Sequence, residues 1–212
     1  MKQKRTNADC AFLKNILVID KIDFLSNVPN QVISYNKGDV IQLHDKQSIG
    51  FLLRGIAILT RIHQNGDAHP SKFISKYHTI DYPYIDGNED LFELEVCQDC
   101  EICWFDRTKF FDYVNNNTKF YKELFYCEVL ERHFIDRFNE ATSRQLAIDK
   151  VYNVMQWFSH VYASKSFKIP ANRSKLGAMI GLSRDRVAES LRTLEQEQKL
   201  VVRNTYEVEI ID

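Results

Sequence analysis

The sequence predicts an α+β chain with three parts in order: an N-terminal antiparallel β-roll of jelly-roll type, a long dimerisation helix, and a C-terminal winged helix-turn-helix. Three observations predict it. Short runs rich in β-branched and aromatic residues recur between residues 32 and 105, separated by turn signals. Apolar side chains then recur every three or four residues from Phe120 to Phe138. Finally, Arg173 to Gln198 splits about Gly181 into two short amphipathic segments, with two more β-rich runs behind them. The expected boundaries are residues 1–116 for the roll, 117–142 for the long helix and 143–212 for the winged unit.

Composition sets the frame. A 212-residue chain that is 44% hydrophobic can bury a core. The net charge is −1, but from Lys165 to Arg203 nine basic side chains face four acidic ones. A basic lobe on an acidic body suits phosphate contacts at one end. No apolar run reaches membrane-span length, and none follows the basic start Met1 to Arg5 as a signal-peptide core would. With five cysteines, an odd number, this implies a reducing, cytoplasmic setting and no membrane.

Residues 10–27 read as a short helical lead-in, with Phe12, Leu13, Ile16 and Leu17 as an apolar patch. Strands follow at Val32–Tyr35, Val40–Leu43, Phe51–Leu53, Ile56–Ile62 and Phe73–Ile74. Asn36 to Asp39, Asp45-Lys46, Arg54-Gly55 and Asn65 to Asp67 are the turns between them. Leu91–Val96 and Glu101–Phe105 are the last strands, joined by a hairpin turn at Gln98-Asp99. Strands this short and closely spaced indicate a barrel or roll.

From Thr108 the period becomes helical. A short helix carries Phe110, Phe111 and Val114 and ends at the asparagine run 115–117. The next helix places Phe120, Leu124, Cys127, Leu130, Phe134 and Phe138 near a heptad seam, read as the dimer face. The alternative is a core helix lying on the roll. Ile148 to Tyr162 forms a further helix whose Val151, Val154, Met155 and Phe158 are core, with Trp157 core rather than a stacking platform.

In the C-terminal stretch, Leu176, Met179 and Ile180 give the first helix one apolar face, and Gly181 ends it. Ser183 is placed to cap the second helix. Val187, Leu191 and Leu194 form that helix's inner face, and Arg184, Asp185, Arg186, Glu189 and Arg192 its outer one. Leu200–Val202 and Val208–Ile211 then read as a hairpin wing. The plainer alternative is a surface helical hairpin with solvated charges.

Roll, long helix, helix-turn-helix and wing in this order resemble the Crp/Fnr superfamily of bacterial transcription regulators. Tyr35 to Ile41 with Phe51 to Ile58 look like the first glycine turns of a cyclic-nucleotide-binding-like roll, and Leu182 to Glu195 is similar to the family's recognition helix. The resemblance implies a homodimer that binds double-stranded DNA and works with RNA polymerase. It implies that Ser183 caps the helix and touches phosphate, and that Arg184 contacts phosphate or a guanine edge. Asp185 stands where glutamate is common, Arg186 where serine or threonine is usual, and Glu189 where many members read a base with arginine. The preferred site is therefore expected to differ from that of the best-known members. Lys168, Arg173 and Lys175 are further phosphate candidates.

Cyclic-nucleotide-binding members use a Gly-Glu cassette with a phosphate-binding arginine. The matching stretch, Thr79 to Val96, has no arginine, and Tyr77 to Asp106 holds no Lys or Arg but nine acids. Like charge repels a phosphate there, so no cyclic-nucleotide response and no cofactor are expected. Cys97, Cys100 and Cys103 are spaced C-x2-C-x2-C. They are open to three readings: buried small hydrophobes, a redox switch (Cys97 with Cys100, or a pairing to Cys10), or a metal site. Six scattered histidines show no i, i+4 pair, and no motif for catalysis appears. The competing functions are a sequence-specific transcription regulator, a thiol-sensing version of it, and a ligand- or partner-binding module whose helix-turn-helix contacts protein.

Overall fold

The computed structural model describes residues 28–43, 47–76, 78–81, 91–144, 146–204 and 206–211. The lead-in helix, Cys10, the Asp45-Lys46 turn and residues 82–90 of the acidic stretch lie outside these.

The chain folds as an α+β molecule on one six-stranded antiparallel sheet. Its strands are β1 (Asn30–Tyr35), β2 (Val40–Gln42), β3 (Ser48–Ile62), β4 (Ala68–Ile74), β5 (Thr79–Ile80) and β6 (Leu91–Asp106). Strand β6 is the axis. One edge pairs with β3, the other with β1 and then β2, and β3 carries β4 and β5 beyond it. The turns at Gly38 and Gly66 form where expected, with φ of 97° and 86°, values that glycine adopts without a Cβ penalty.

Two expected turns are not turns. Arg54-Gly55 lies inside β3, and Gln98-Asp99 lies inside β6, directly across the ladder. Register slips between Leu52 and Ala57 instead. A side chain alternates faces along a strand, so an odd offset should put Leu52 and Ala57 on opposite faces. The bulges restore both to the inner core beside Leu94, Val96, Cys100 and Ile102. Gly55 makes this possible at φ 96°, where a Cβ would meet the Asp99 carbonyl oxygen at 2.5 Å. The glycine signal was genuine, but it marked a bulge.

Two apolar patches cover the other face of the sheet. Ile49, Phe51, Cys103 and Phe105 pack under α1 (Arg107–Asn116) and the start of α2 (Thr118–Thr142). Ile56, Ile58, Phe73 and Cys97 join the core of α3 (Ala147–Tyr162) and the winged unit in one continuous cluster. Asp106 caps α1 and Asn117 caps α2, each accepting from the backbone N–H three residues on.

The C-terminal unit holds α4 (Arg173–Ile180), α5 (Arg184–Gln196) and a three-stranded sheet ordered β7-β9-β8. β8 (Leu200–Val202) and β9 (Glu207–Ile210) are the expected wing. β7 (Ser166–Lys168), a strand not anticipated from the sequence, pairs with β9. Phe167 is its buried residue and stacks on Tyr162.

Candidate nucleic-acid interface

The exposed charges of α5 are presented by a rigid support. Asn172 caps α4 by accepting from the Lys175 N–H at 2.9 Å. Gly181 ends α4 at φ 70°, and the Ser183 Oγ caps α5 by accepting from the Arg186 N–H at 3.2 Å. Gly177, which the sequence reading passed over, lets the turn close. A Cβ there would collide with the Leu182 carbonyl oxygen, which accepts no such approach. Two side chains fix the ends of the motif. The Lys150 ammonium donates to the Ile180 carbonyl at 3.3 Å, and the Glu195 carboxylate accepts from the Val202 N–H at 3.0 Å, tying wing to helix.

Val187, Ser190, Leu191 and Leu194 are buried against α3, α4 and β8. The opposite face of α5 exposes Arg184, Asp185, Arg186, Glu189 and Arg192, with Ser183 at its tip. Arg186 and Glu189 bond across it, Nη1 to Oε2 at 3.2 Å, with both side chains about two-thirds exposed. Lys168 is exposed on β7, and Arg173 is half-buried at the start of α4. Lys175 sits apart from the rest. It pairs with Glu95 of the roll, and partial burial lowers its pKa. In this arrangement its charge is committed to β6, where a phosphate cannot reach it without breaking that pair.

The anticipated dimer seam also needs correction. Phe120 and Leu124 pack under the roll with α1, Cys127 is buried, Leu130 is half-buried, and Phe134 and Phe138 join the α3 cluster against Trp157. Phe120, Leu124, Phe134 and Phe138 hold α2 to its own chain, because the sheet face and α3 beside it are themselves apolar. The exposed apolar stripe of α2 is Tyr121, Phe125, Tyr126 and Val129, between 39% and 58% accessible.

No family model and no curated protein sequence matches the chain. Solved structures do. FixK2 from Bradyrhizobium japonicum superposes with a TM-score of 0.70 over 87% of this chain and 94% of that one, at 13% identity. A protein of Eubacterium rectale described as a transcriptional regulator of the Crp/Fnr family gives 0.60 over 90% and 88%, at 12% identity. The chain has the Crp/Fnr fold. The c-di-GMP responsive global regulator CLP of Xanthomonas campestris is similar again, with a TM-score of 0.67 over 89% and 97% at 12% identity.

Within this Crp/Fnr fold, the described part of the cassette region presents acids, and two of them are already matched, Glu95 by Lys175 and Asp81 by Arg107. Arg107, the first basic residue after the acidic span, pairs with Asp81. The roll holds a cavity of about 290 Å³, lined by Ile33, Tyr35, Ile41, Gln42, Ile80 and Trp104 among others. The Trp104 indole N–H donates to the Tyr35 hydroxyl at 3.1 Å. Among the described residues, no charged side chain lines this cavity.

The cysteines fall into separate surroundings. Cys97 packs under α3, Cys100 lies inside the roll, and Cys103 packs under α1. Along β6 the odd-numbered pair and Cys100 face opposite sides. Burial pushes the Cys97 thiol up to about 12 and those of Cys100, Cys103 and Cys127 up to about 11. All four are protonated at neutral pH, and it is the thiolate that attacks or ligates. Among the described residues, no three His, Cys, Asp or Glu side chains are placed to hold a metal.

One polar node escaped the sequence reading. Glu131 of α2 is 6% exposed. It accepts from the Lys72 ammonium of β4, and from the Thr79 N–H and hydroxyl at 3.3 and 3.1 Å. Burial alone would raise its pKa, but Lys72 and these hydrogen bonds pull it below the usual carboxylate value. His78 beside it is buried, packs edge-on to Phe134, and accepts at Nδ1 from the Ser75 N–H. Burial lowers its pKa to about 4, so it is neutral. Glu131, four residues after Cys127 and three before Phe134 and so on the apolar seam, was the available signal.

Proposed function

We propose that the chain is a homodimeric, sequence-specific DNA-binding transcription regulator that does not respond to cyclic nucleotides. The observation that carries the reading is the two-sided α5. One face is welded into a capped and glycine-turned helix pair with a wing, and the other offers Arg184, Arg186 and Arg192 from an exposed helix start. Such a helix enters the major groove N-terminus first, where arginine forks meet guanine O6 and N7. Two copies related by a two-fold axis would read two half-sites, and the aromatic stripe of α2 is the surface that can pair them.

The absence of cyclic-nucleotide response rests on charge. The described cassette residues offer carboxylates, Arg107 is matched by Asp81, and the described lining of the roll cavity is uncharged. Thiol control is not part of the reading, because the described thiols are buried and protonated.

The test is binding to a selected duplex as salt is varied. Affinity should fall steeply with salt as counterions are released. Arg184→Ala should weaken specific binding by about 1–3 kcal/mol, and added cyclic AMP or cyclic GMP should change nothing. Specific binding that ignores both salt and Arg184 would sink the reading.

A further inference from the structure

The exposed face of α5 carries two carboxylates as well as three arginines, and the second carboxylate poses a problem. Glu189 lies one turn into the helix, on the side that faces the groove if α5 reads DNA. A carboxylate there is repelled by phosphate and cannot bond guanine O6 or N7, which are both acceptors. Its partner in the structure is Arg186, at 3.2 Å. On a solvated helix such a pair is worth little. In a groove emptied of water the same contact strengthens, and it fixes the direction of the guanidinium.

Resting on the DNA-binding reading above, we infer that Arg186 is a base-reading arginine of this chain and that Glu189 is its positioning residue. Arg186 Nη1 is spent on Glu189 Oε2. A guanidinium has five N–H donors in a planar fork, so four remain to present to a guanine edge. The Ser183 cap adds to the constraint. It bonds the backbone N–H of Arg186 itself, so this arginine is held at its main chain by Ser183 and at its tip by Glu189. No other arginine of the face shows both restraints among the described contacts. The glutamate thus serves recognition by orienting its neighbour, and the guanine-reading position shifts from residue 189 to residue 186.

The experiment is selection from a random duplex pool with the full-length wild type, Arg186→Ala, Arg186→Lys, Glu189→Gln and Glu189→Ala. Thermal stability of each is checked alongside. All four changes are at exposed side chains, so folding should be unaffected. The wild type should select a motif with a fixed G·C pair in each half-site. Arg186→Ala should cost that one position about tenfold to a hundredfold in preference. Arg186→Lys should keep overall affinity but lose the same preference, since an ammonium lacks the fork. Glu189→Ala should loosen the same base pair by a smaller factor. Glu189→Gln, which still accepts from Arg186, should restore most of it.

If Arg186→Lys leaves every position intact, Arg186 is a phosphate contact and the inference is overturned. If Glu189→Ala changes a different base pair from Arg186→Ala, Glu189 reads DNA directly and the positioning role is overturned. Both results leave DNA recognition standing. A wild type that selects no motif overturns the inference together with the reading beneath it.

Discussion

The two sides of α2 sit in opposite surroundings with similar residues. Its inner side carries buried Cys127 with Phe120, Phe134 and Phe138, whose rings meet those of the roll, α1 and α3 at 4.7–5.7 Å. Its outer side carries Tyr121, Phe125, Tyr126 and Val129, which face solvent in the protomer. Both sides have helical spacing and aromatic content, so hydrophobicity alone does not separate them. The difference lies in polar company. The inner side contains a charge, Glu131, whose lone pairs are satisfied by Lys72 and Thr79 across the interface. On the outer side the charges that lie among these residues, Lys122 and Arg132, are exposed to solvent.

This contrast can be broken at four points, in order of expected effect. Phe120→Ala on the inner side should destabilise the protomer by about 3–5 kcal/mol in chemical denaturation. A change below 1 kcal/mol would mean that the first patch is not a core. Acid is the next probe. The folded pKa of His78 lies near 4, below the unfolded value of 6.5. Below 6.5 the unfolded chain therefore binds a proton that the folded chain refuses, so stability present above pH 6.5 drains away as pH falls toward 4. The loss is on the order of 3 kcal/mol. Glu131 adds a later loss, since its folded pKa is depressed and its contribution disappears only as pH falls through that lowered value. His78→Phe should flatten the first phase and leave the second.

Lys72→Met comes third. It strands Glu131 in an interface where its own side chain is 8% exposed. Losing a buried partner costs about 3–5 kcal/mol, and the partial exposure of Lys72 reduces this to roughly 2 kcal/mol. Glu131→Gln added to Lys72→Met should recover part of it. The smallest effect on the protomer is expected from Phe125→Asp on the outer side, within about 0.5 kcal/mol. Sedimentation equilibrium should nevertheless show that variant as a monomer at concentrations where the wild type is dimeric.

Legibility in the sequence followed the same division between local and non-local causes. The winged unit was readable because its determinants are neighbours in the chain: Gly181 as the break, Ser183 as the cap, and Val187, Leu191 and Leu194 as one face. The fold class and the turns at Gly38 and Gly66 were readable for the same reason. Arg54-Gly55 and Gln98-Asp99 misled because a turn and a bulge both interrupt alternation, and only the facing strand tells them apart. The seam of α2 misled because periodicity reports that a face is buried, without reporting against what. Lys175 misled because Glu95, its partner, lies 80 residues away. The third wing strand was missed because Phe167 is a single buried residue in a run of three. In the candidate interface, Ser183, Arg184, Asp185, Arg186, Glu189 and Arg192 were gathered correctly onto one exposed face, since helical spacing sufficed for that. The Arg186–Glu189 contact was not foreseen, because spacing permits i, i+3 pairing without choosing among neighbours.

The most direct test of the central claim is the symmetry of the DNA that the protein selects from a random duplex pool. The wild type should enrich a two-fold motif whose half-sites are about one helical turn, ~10 bp, apart. Phe125→Asp, with α5 untouched, should lose the paired motif while retaining weak preference for a single half-site. An asymmetric motif from the wild type, or the same two-fold motif from Phe125→Asp as a monomer, would contradict the account.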